Sequence, residues 1–196
     1  MGLRDLDLDW GETRMTQTAT TPAMQSEGSA SSVKPAIDIR PYRAEDRTAF
    51  RELNEDWIEK NFGLEDKDRT TLGDPETYIL QPGGHIFMAV SEDKAIGCCA
   101  LLLMRPGVYE VAKMTVAEEY RGYGIGRKLL VHTILSGWAL GAESLYLETN
   151  DRLADAIHLY ESLGFRHLPP ERIVPSPYAR ANVYMELLYS WRAEVR

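Results

Sequence analysis

The chain has 196 residues, 44% of them hydrophobic and 27% charged, which suits one soluble domain with an ordinary core and room for a tail. A net charge of −8 without any basic block speaks against nucleic acid as the main partner. The only cysteines, Cys98 and Cys99, are adjacent, so they offer neither a disulfide framework nor zinc spacing and read as two small core residues in a reducing compartment.

No apolar run reaches the length of a membrane span and no charged-then-apolar leader opens the chain, so the expected location is the cytoplasm, with no membrane partner. Residues 1–35 read as a tail, because Thr16 to Val33 is mostly Thr, Ser, Ala, Gln and Gly with few large apolar groups to bury. The domain is expected over residues 36–196. Ala36 to Arg40 reads as a short strand. Ala44 to Phe62 reads as an amphipathic helix with Phe50, Leu53, Trp57 and Ile58 on one face and Gly63 after it. Leu64 to Leu80 is polar with short helical pieces, and Pro82-Gly83-Gly84 turns the chain. Two apolar runs, His85 to Ser91 and Ala95 to Arg105, flank Glu92-Asp93-Lys94 and predict a hairpin, and Val108 to Val116 predicts the next strand.

Arg121-Gly-Tyr-Gly-Ile-Gly126 then leads into a helix to about Leu140 with the stripe Leu130, Thr133, Ile134 and Trp138. Ser144 to Glu148 is a predicted strand. Asn150 or Asp151 is the expected cap of a helix whose stripe is Leu153, Ala156, Ile157, Tyr160 and Leu163, closed by Gly164. Phe165 opens a short strand, a Pro-rich loop covers Leu168 to Tyr178, and Asn182 to Leu188 closes the chain. The order is hairpins first, then β-α-β-α-β.

The glycine-rich segment joins a strand to a helix. Glycines there let the backbone approach a ligand, and the N–H groups and dipole of the helix start attract an anion. Arg121, Arg127 and Lys128 add positive charge, so the residues predict a phosphate or pyrophosphate cradle. A P-loop is excluded because Gly-Lys-Ser/Thr is missing. A dinucleotide fingerprint begins with Gly122-x-Gly124 and has Glu148 at the end of the next strand. Arg127, however, occupies its third glycine position, and Ala117 to Tyr120 separate strand from glycines.

Arg-x-x-Gly-x-Gly, as Arg121 to Gly126, resembles the CoA pyrophosphate signature of the GCN5-related N-acetyltransferases (GNAT). Val108-Tyr-Glu-Val-Ala-Lys-Met-Thr-Val116 resembles that family's fourth strand, Leu145-Tyr-Leu-Glu-Thr-Asn150 its fifth, and Ala156-Ile-His-Leu-Tyr-Glu-Ser-Leu-Gly-Phe165 the following helix. The resemblance implies an α/β fold: a mixed, mostly antiparallel twisted sheet whose fourth and fifth strands splay apart, flanked by helices. It implies acetyl-CoA as cosubstrate and direct attack of a primary amine on the thioester. Backbone groups of Met114, Thr115 and Val116 would meet the pantetheine arm, with the Met114 N–H polarising the carbonyl. Arg121, Gly122, Tyr123, Gly124, Ile125, Gly126 and Arg127 would hold the pyrophosphate. Asn150 matches a position that touches CoA, and is equally well read as a plain helix cap.

Such chemistry asks for a base and an acid. Glu110 is the candidate base: it alternates with Ala112, Met114 and Val116, and a carboxylate among apolar neighbours has a raised pKa. Tyr160 is the candidate acid, on the apolar stripe of its helix and matching the family's tyrosine; an ordinary phenol, with pKa about 10, returns a proton to a thiolate. Glu148 has a weaker claim to the base, and is equally well read as a structural or loop-binding carboxylate. Lys113 is expected to face away from Glu110, in solvent or in an ion pair. The run Glu52, Glu55, Asp56, Glu59 reads as an exposed helix face. His85, His132, His158 and His167 lack metal-ligand company, so no metal is expected. The acceptor amine, a small molecule or a peptide, would be recognised by the first helix, Leu64 to Gly84, and the loop Leu168 to Tyr178, where Trp57, Tyr78 and Tyr178 are equally pocket or core. A homodimer is compatible with the sequence, and the competing reading is a catalytically silent CoA-binding sensor or scaffold.

Overall fold

In the computed structural model, residues 36–190 are described; the expected tail, residues 1–35, and residues 191–196 lie outside the described residues. The two central apolar runs form β2 (His85–Ser91) and β3 (Lys94–Arg105), joined at Glu92 and Asp93. These two residues adopt φ of 47° and 65°, the left-handed values a two-residue hairpin loop needs. Both strands are buried on both faces. Ile86, Met88, Cys98 and Ala100 point into one apolar cluster, Phe87, Ala89, Cys99 and Leu101 into another. The adjacent cysteines therefore serve opposite faces as free thiols, as strand alternation requires.

β1 (Asp38–Pro41) pairs antiparallel with β2, and β4 (Val108–Val116) antiparallel with β3. β5 (Ser144–Thr149), β6 (Arg166–His167) and β7 (Val183–Leu188) complete one seven-stranded sheet in the order β1-β2-β3-β4-β5-β7-β6. The last strand thus enters between β5 and β6 and is antiparallel to both.

Among the described residues, four α-helices cover the sheet. α1 (Arg47–Asn61) and α2 (Asp66–Gly73) lie on one face, where Phe50, Ile58 and Leu72 are buried. A fully buried side chain of this size contributes about 1.5–3 kcal/mol. Asn54 joins that buried stripe as a polar member, its amide donating to the Phe50 carbonyl at 2.8 Å and to Cys98 Sγ at 3.1 Å. α3 (Ile125–Ala139) and α4 (Ala154–Ser162) lie on the other face. α3 comes close to β5 at Gly137, where a Cβ would stand 2.9 Å from Leu145 Cδ2. The expected cap of α4 is displaced: Leu153 takes the N-cap position, because Asn150 and Asp151 are bound in the preceding turn.

Two features prepare the site. β4 and β5 are parallel over three rungs only, Val108↔Ser144, Tyr109↔Leu145 and Glu110↔Tyr146. Beyond them Leu147, Glu148 and Thr149 pair with β7 alone, so the two strands splay after Glu110. The second feature is a β-bulge. The register passes from Ala100↔Ala112 to Cys98↔Thr115, which leaves Cys99 opposite both Lys113 and Met114. Lys113 takes φ of 51°, in the left-handed region.

Candidate functional site

The bulge corrects the expected side-chain pattern of β4. Ala112, opposite Ala100, and Lys113 both face α1 and α2, whereas Met114 and Val116 cross to the α3 side and pack on its apolar cluster. Glu110 therefore does not share a face with Met114 and Val116. Lys113, expected to face away from Glu110, shares its side and lowers its pKa. One inserted residue is enough, because the strand period is two.

The bulge also sets which backbone groups face the gap. Ala117 N–H donates to the Ile96 carbonyl at 2.9 Å, toward β3. Alternation turns the groups of Val116 and Met114 the other way, to the edge of β4 that β5 has left. Thr115 faces α1, and with Val116 and Arg121 it lines a cleft of about 490 Å³ against Leu53, Trp57 and Ala95. The ion pairs Lys60–Glu118 and Lys94–Glu119 cross its rim.

The glycine segment follows directly. Gly122 and Gly124 hold φ of 82° and 75°, and a Cβ at either would meet nothing within 4 Å, so the backbone stands open to a ligand. Gly124 is the N-cap of α3 without any side-chain cap, and the first-turn N–H groups of Ile125, Gly126 and Arg127 have no acceptor within the helix. Consecutive amides of this kind, at a helix N-terminus, form an anion cradle. Tyr123 is exposed beside it. Gly126 sits over the strand end, its missing Cβ 3.7 Å from Met114 Cε. Arg121 Nε donates to the Val116 carbonyl at 3.1 Å, and Arg127 reaches Ser162 Oγ at 2.8 Å, so both cations are held beside the loop.

Glu110 is half-buried at the last rung of the parallel ladder, and its carboxyl makes no hydrogen bond or ion pair among the described residues. Burial, and then the charge of Glu148, push its pKa up to about 7, against the opposing pull of Lys113 and Lys67. Glu148 differs: Tyr146 hydroxyl donates to it at 3.0 Å and Ser176 hydroxyl closes on its other oxygen. Tyr160, on the opposite face, packs edge-on against Phe165 with centroids 5.9 Å apart. Burial, with a smaller effect of Cys99, holds its phenol well above the ordinary range, so it stays protonated at neutral pH. Asn150 is tied down by its side chain, donating to the Arg180 carbonyl at 2.6 Å and accepting from Arg152 N–H at 2.9 Å.

Sequence reasoning missed a polar cluster next to Glu110. Asp68, fully buried in the first turn of α2, accepts from Lys113 Nζ at 3.0 Å and from both Arg180 guanidinium nitrogens at 2.7 and 2.8 Å. The Tyr178 hydroxyl accepts from Lys113 at 2.9 Å, and its ring lies under Lys113, Arg180 and Lys67. Of this group, the aromatic in the Pro-rich loop was the one legible signal. Tyr78, by contrast, is exposed, and Trp57 lines the cleft. Among the described residues, no group of three or more His, Cys, Asp or Glu side chains is arranged to hold a metal ion, and no helix is long and apolar enough to cross a membrane.

A splayed parallel pair with open helix-start amides next to it leaves room between two strands for an extended, anionic ligand. The sequence matches the acetyltransferase (GNAT) family over residues 46–165, and the chain belongs to that family. It is 38% identical over 106 residues to the N-acetylaspartate synthetase of Xenopus tropicalis, a match covering 51% of this chain and 38% of that one. An acetyltransferase of the GNAT family from Staphylococcus aureus Mu50 superposes with a TM-score of 0.69 at 25% identity, covering 77% of this chain and 98% of its own. YncA of Salmonella typhimurium, solved with its cofactor acetyl-CoA, has the same fold, with a TM-score of 0.62 at 19% identity over 78% of this chain and 94% of that one.

Proposed function

We propose that the chain is an acetyl-CoA-dependent N-acetyltransferase that carries an acetyl group to a primary amine by direct attack. The observation that carries this reading is the position of Glu110. An unpaired carboxylate with a pKa near neutrality stands where β4 and β5 part, beside the backbone edge that would receive the thioester arm. The Gly122–Arg127 amides would take the pyrophosphate and the edge groups of Met114 and Val116 the pantetheine arm, whereas the expected part of Thr115 falls away, because its backbone groups address β3 as those of Ala117 do. Glu110 would remove the ammonium proton, directly or through water, and the free amine would attack the carbonyl carbon. The Met114 N–H would stabilise the oxyanion. As the carbon–sulfur bond breaks, Tyr160 would return a proton to the CoA thiolate. Burial keeps that phenol protonated and so able to donate at neutral pH, and it also makes it a weaker acid than the ordinary phenol expected from the sequence.

The test is thiol release from acetyl-CoA across an amine panel, with calorimetry for coenzyme binding. The synthetase relative is named for N-acetylaspartate, which puts aspartate and other amino acids first on the panel. Release is expected with at least one amine and is expected to collapse in Glu110→Gln. Coenzyme binding without release on any amine would instead favour a silent sensor.

A further inference from the structure

Lys113 is the only non-glycine residue with positive φ among the described residues outside the β2–β3 hairpin loop. A lysine has no conformational reason to sit there; glycine or asparagine would be the ordinary choice. Nor does its side chain behave as a surface lysine: it is 6% exposed, bonded to Asp68 and to the Tyr178 hydroxyl. Asp68 is itself fixed. Its Oδ2 accepts the Glu65 N–H at 3.2 Å in a capping box at the start of α2, and Arg180, also paired with Glu65, balances its charge. Were Lys113 to relax to ordinary extended backbone, the bulge would vanish. Met114 would then swing off the α3 cluster, and its N–H would turn from the gap toward β3.

We propose that the Lys113–Asp68 ion pair is a latch from α2 that holds the β4 bulge, so that both residues are positioning residues for the Met114 N–H. This rests on the transferase reading above and adds to it which residues keep the carbonyl-polarising amide aimed into the gap between β4 and β5. Two variants separate backbone from charge. Lys113→Gly and Lys113→Val both remove the ammonium, but glycine accepts the left-handed conformation and valine opposes it.

The measurements are kcat, KM for acetyl-CoA, and the infrared band of bound acetyl-CoA carrying a ¹³C carbonyl. Lys113→Val is expected to lower kcat by about tenfold or more, with KM for acetyl-CoA changing far less, and to return the carbonyl band toward its position in water. Lys113→Gly is expected to keep the band displaced to low wavenumber and to exceed the valine variant in kcat by about tenfold. Asp68→Asn should behave as the valine variant does, and adding Lys113→Gly to it should restore the displaced band. Equal impairment of the glycine and valine variants would overturn the latch, as would an unaltered band in Asp68→Asn. Should Asp68→Asn fail to fold, Lys113→Met, which keeps the stem and removes the charge, takes its place, and an unaltered band in that variant overturns the latch. A wild-type chain that transfers no acetyl group would remove the proposed function instead. The latch would then be judged by crystal structures, where a retained bulge in Lys113→Val overturns it and a register slip in that variant alone supports it.

Discussion

Glu110 and Glu148 stand on the same side of the β4–β5 junction, yet only Glu148 carries hydrogen bonds, from Tyr146 and Ser176. Two carboxylates in one small region are thereby given different tasks. Glu148 is engaged by hydroxyls and anchors the loop that carries Ser176. Glu110 is left with a half-buried carboxyl whose proton is easily exchanged near neutral pH.

The first prediction concerns pH. A base with a pKa of about 7 is protonated and inactive below that value, so kcat/KM should rise with pH through about 7 and then level. Glu110→Gln should lower kcat by about 10²–10⁴-fold and abolish that limb. A limb that persists in the variant would assign it to another group.

Glu148 should be visible in the same profile. Its charge is the second contribution, after burial, to the raised pKa of Glu110. Glu148→Gln should therefore move the limb to lower pH. Ser176→Ala, which leaves that charge in place, should move it less and act mainly on the acceptor KM. Identical shifts in the two variants would refute the electrostatic role.

The same shift bears on stability. A carboxyl whose folded pKa is raised opposes folding once it must ionise, and this cost grows as pH rises from the unfolded value toward about 7. Glu110→Gln should consequently have a higher Tm than the wild type at pH 8, with the gap closing by pH 4 to 5 (about the unfolded pKa). Calorimetric melting of the two chains checks the sign.

Tyr160→Phe keeps the ring packed on Phe165 and removes only the hydroxyl. Turnover should fall by about tenfold to a hundredfold while KM for acetyl-CoA stays within about twofold. Unchanged turnover removes Tyr160 from the chemistry.

At the cradle, Gly124→Ala adds a Cβ that meets no atom, so its effect isolates the backbone at φ of 75°. The expected loss is about 1–2 kcal/mol of stability, with weaker CoA binding by calorimetry. Binding that is unaffected by Gly124→Val would argue against this loop as the phosphate site.

The strand and loop that bear the site were legible because local signals specify them. β4 runs from Val108 to Val116 as its apolar run suggests, and Gly122 and Gly124 take the left-handed conformations for which glycine is suited. The bulge was not legible. Glu110, Ala112, Met114 and Val116 alternate as in a regular strand, and the residue whose left-handed backbone breaks that alternation, Lys113, is bonded to Asp68, 45 residues upstream. Arg180 lies 112 residues from that aspartate, so the buried cluster depends on distances in sequence over which no periodicity carries information. The entry of β7 between β5 and β6 is hidden for the same reason, because strand order is set by long-range pairing.

The short ladder between β4 and β5 has a mechanical consequence. Three rungs are all that join the block β1-β2-β3-β4 to the block β5-β7-β6 within the sheet, and on one face α3 bridges them, its Gly137 lying against both Leu101 and Leu145. A guest lying along the opened seam would share hydrogen bonds with the β4 side and span both blocks like a suture. Amide exchange should then slow on occupancy along residues 111–116, while the doubly covered centre of β3, already sealed, stays as it was.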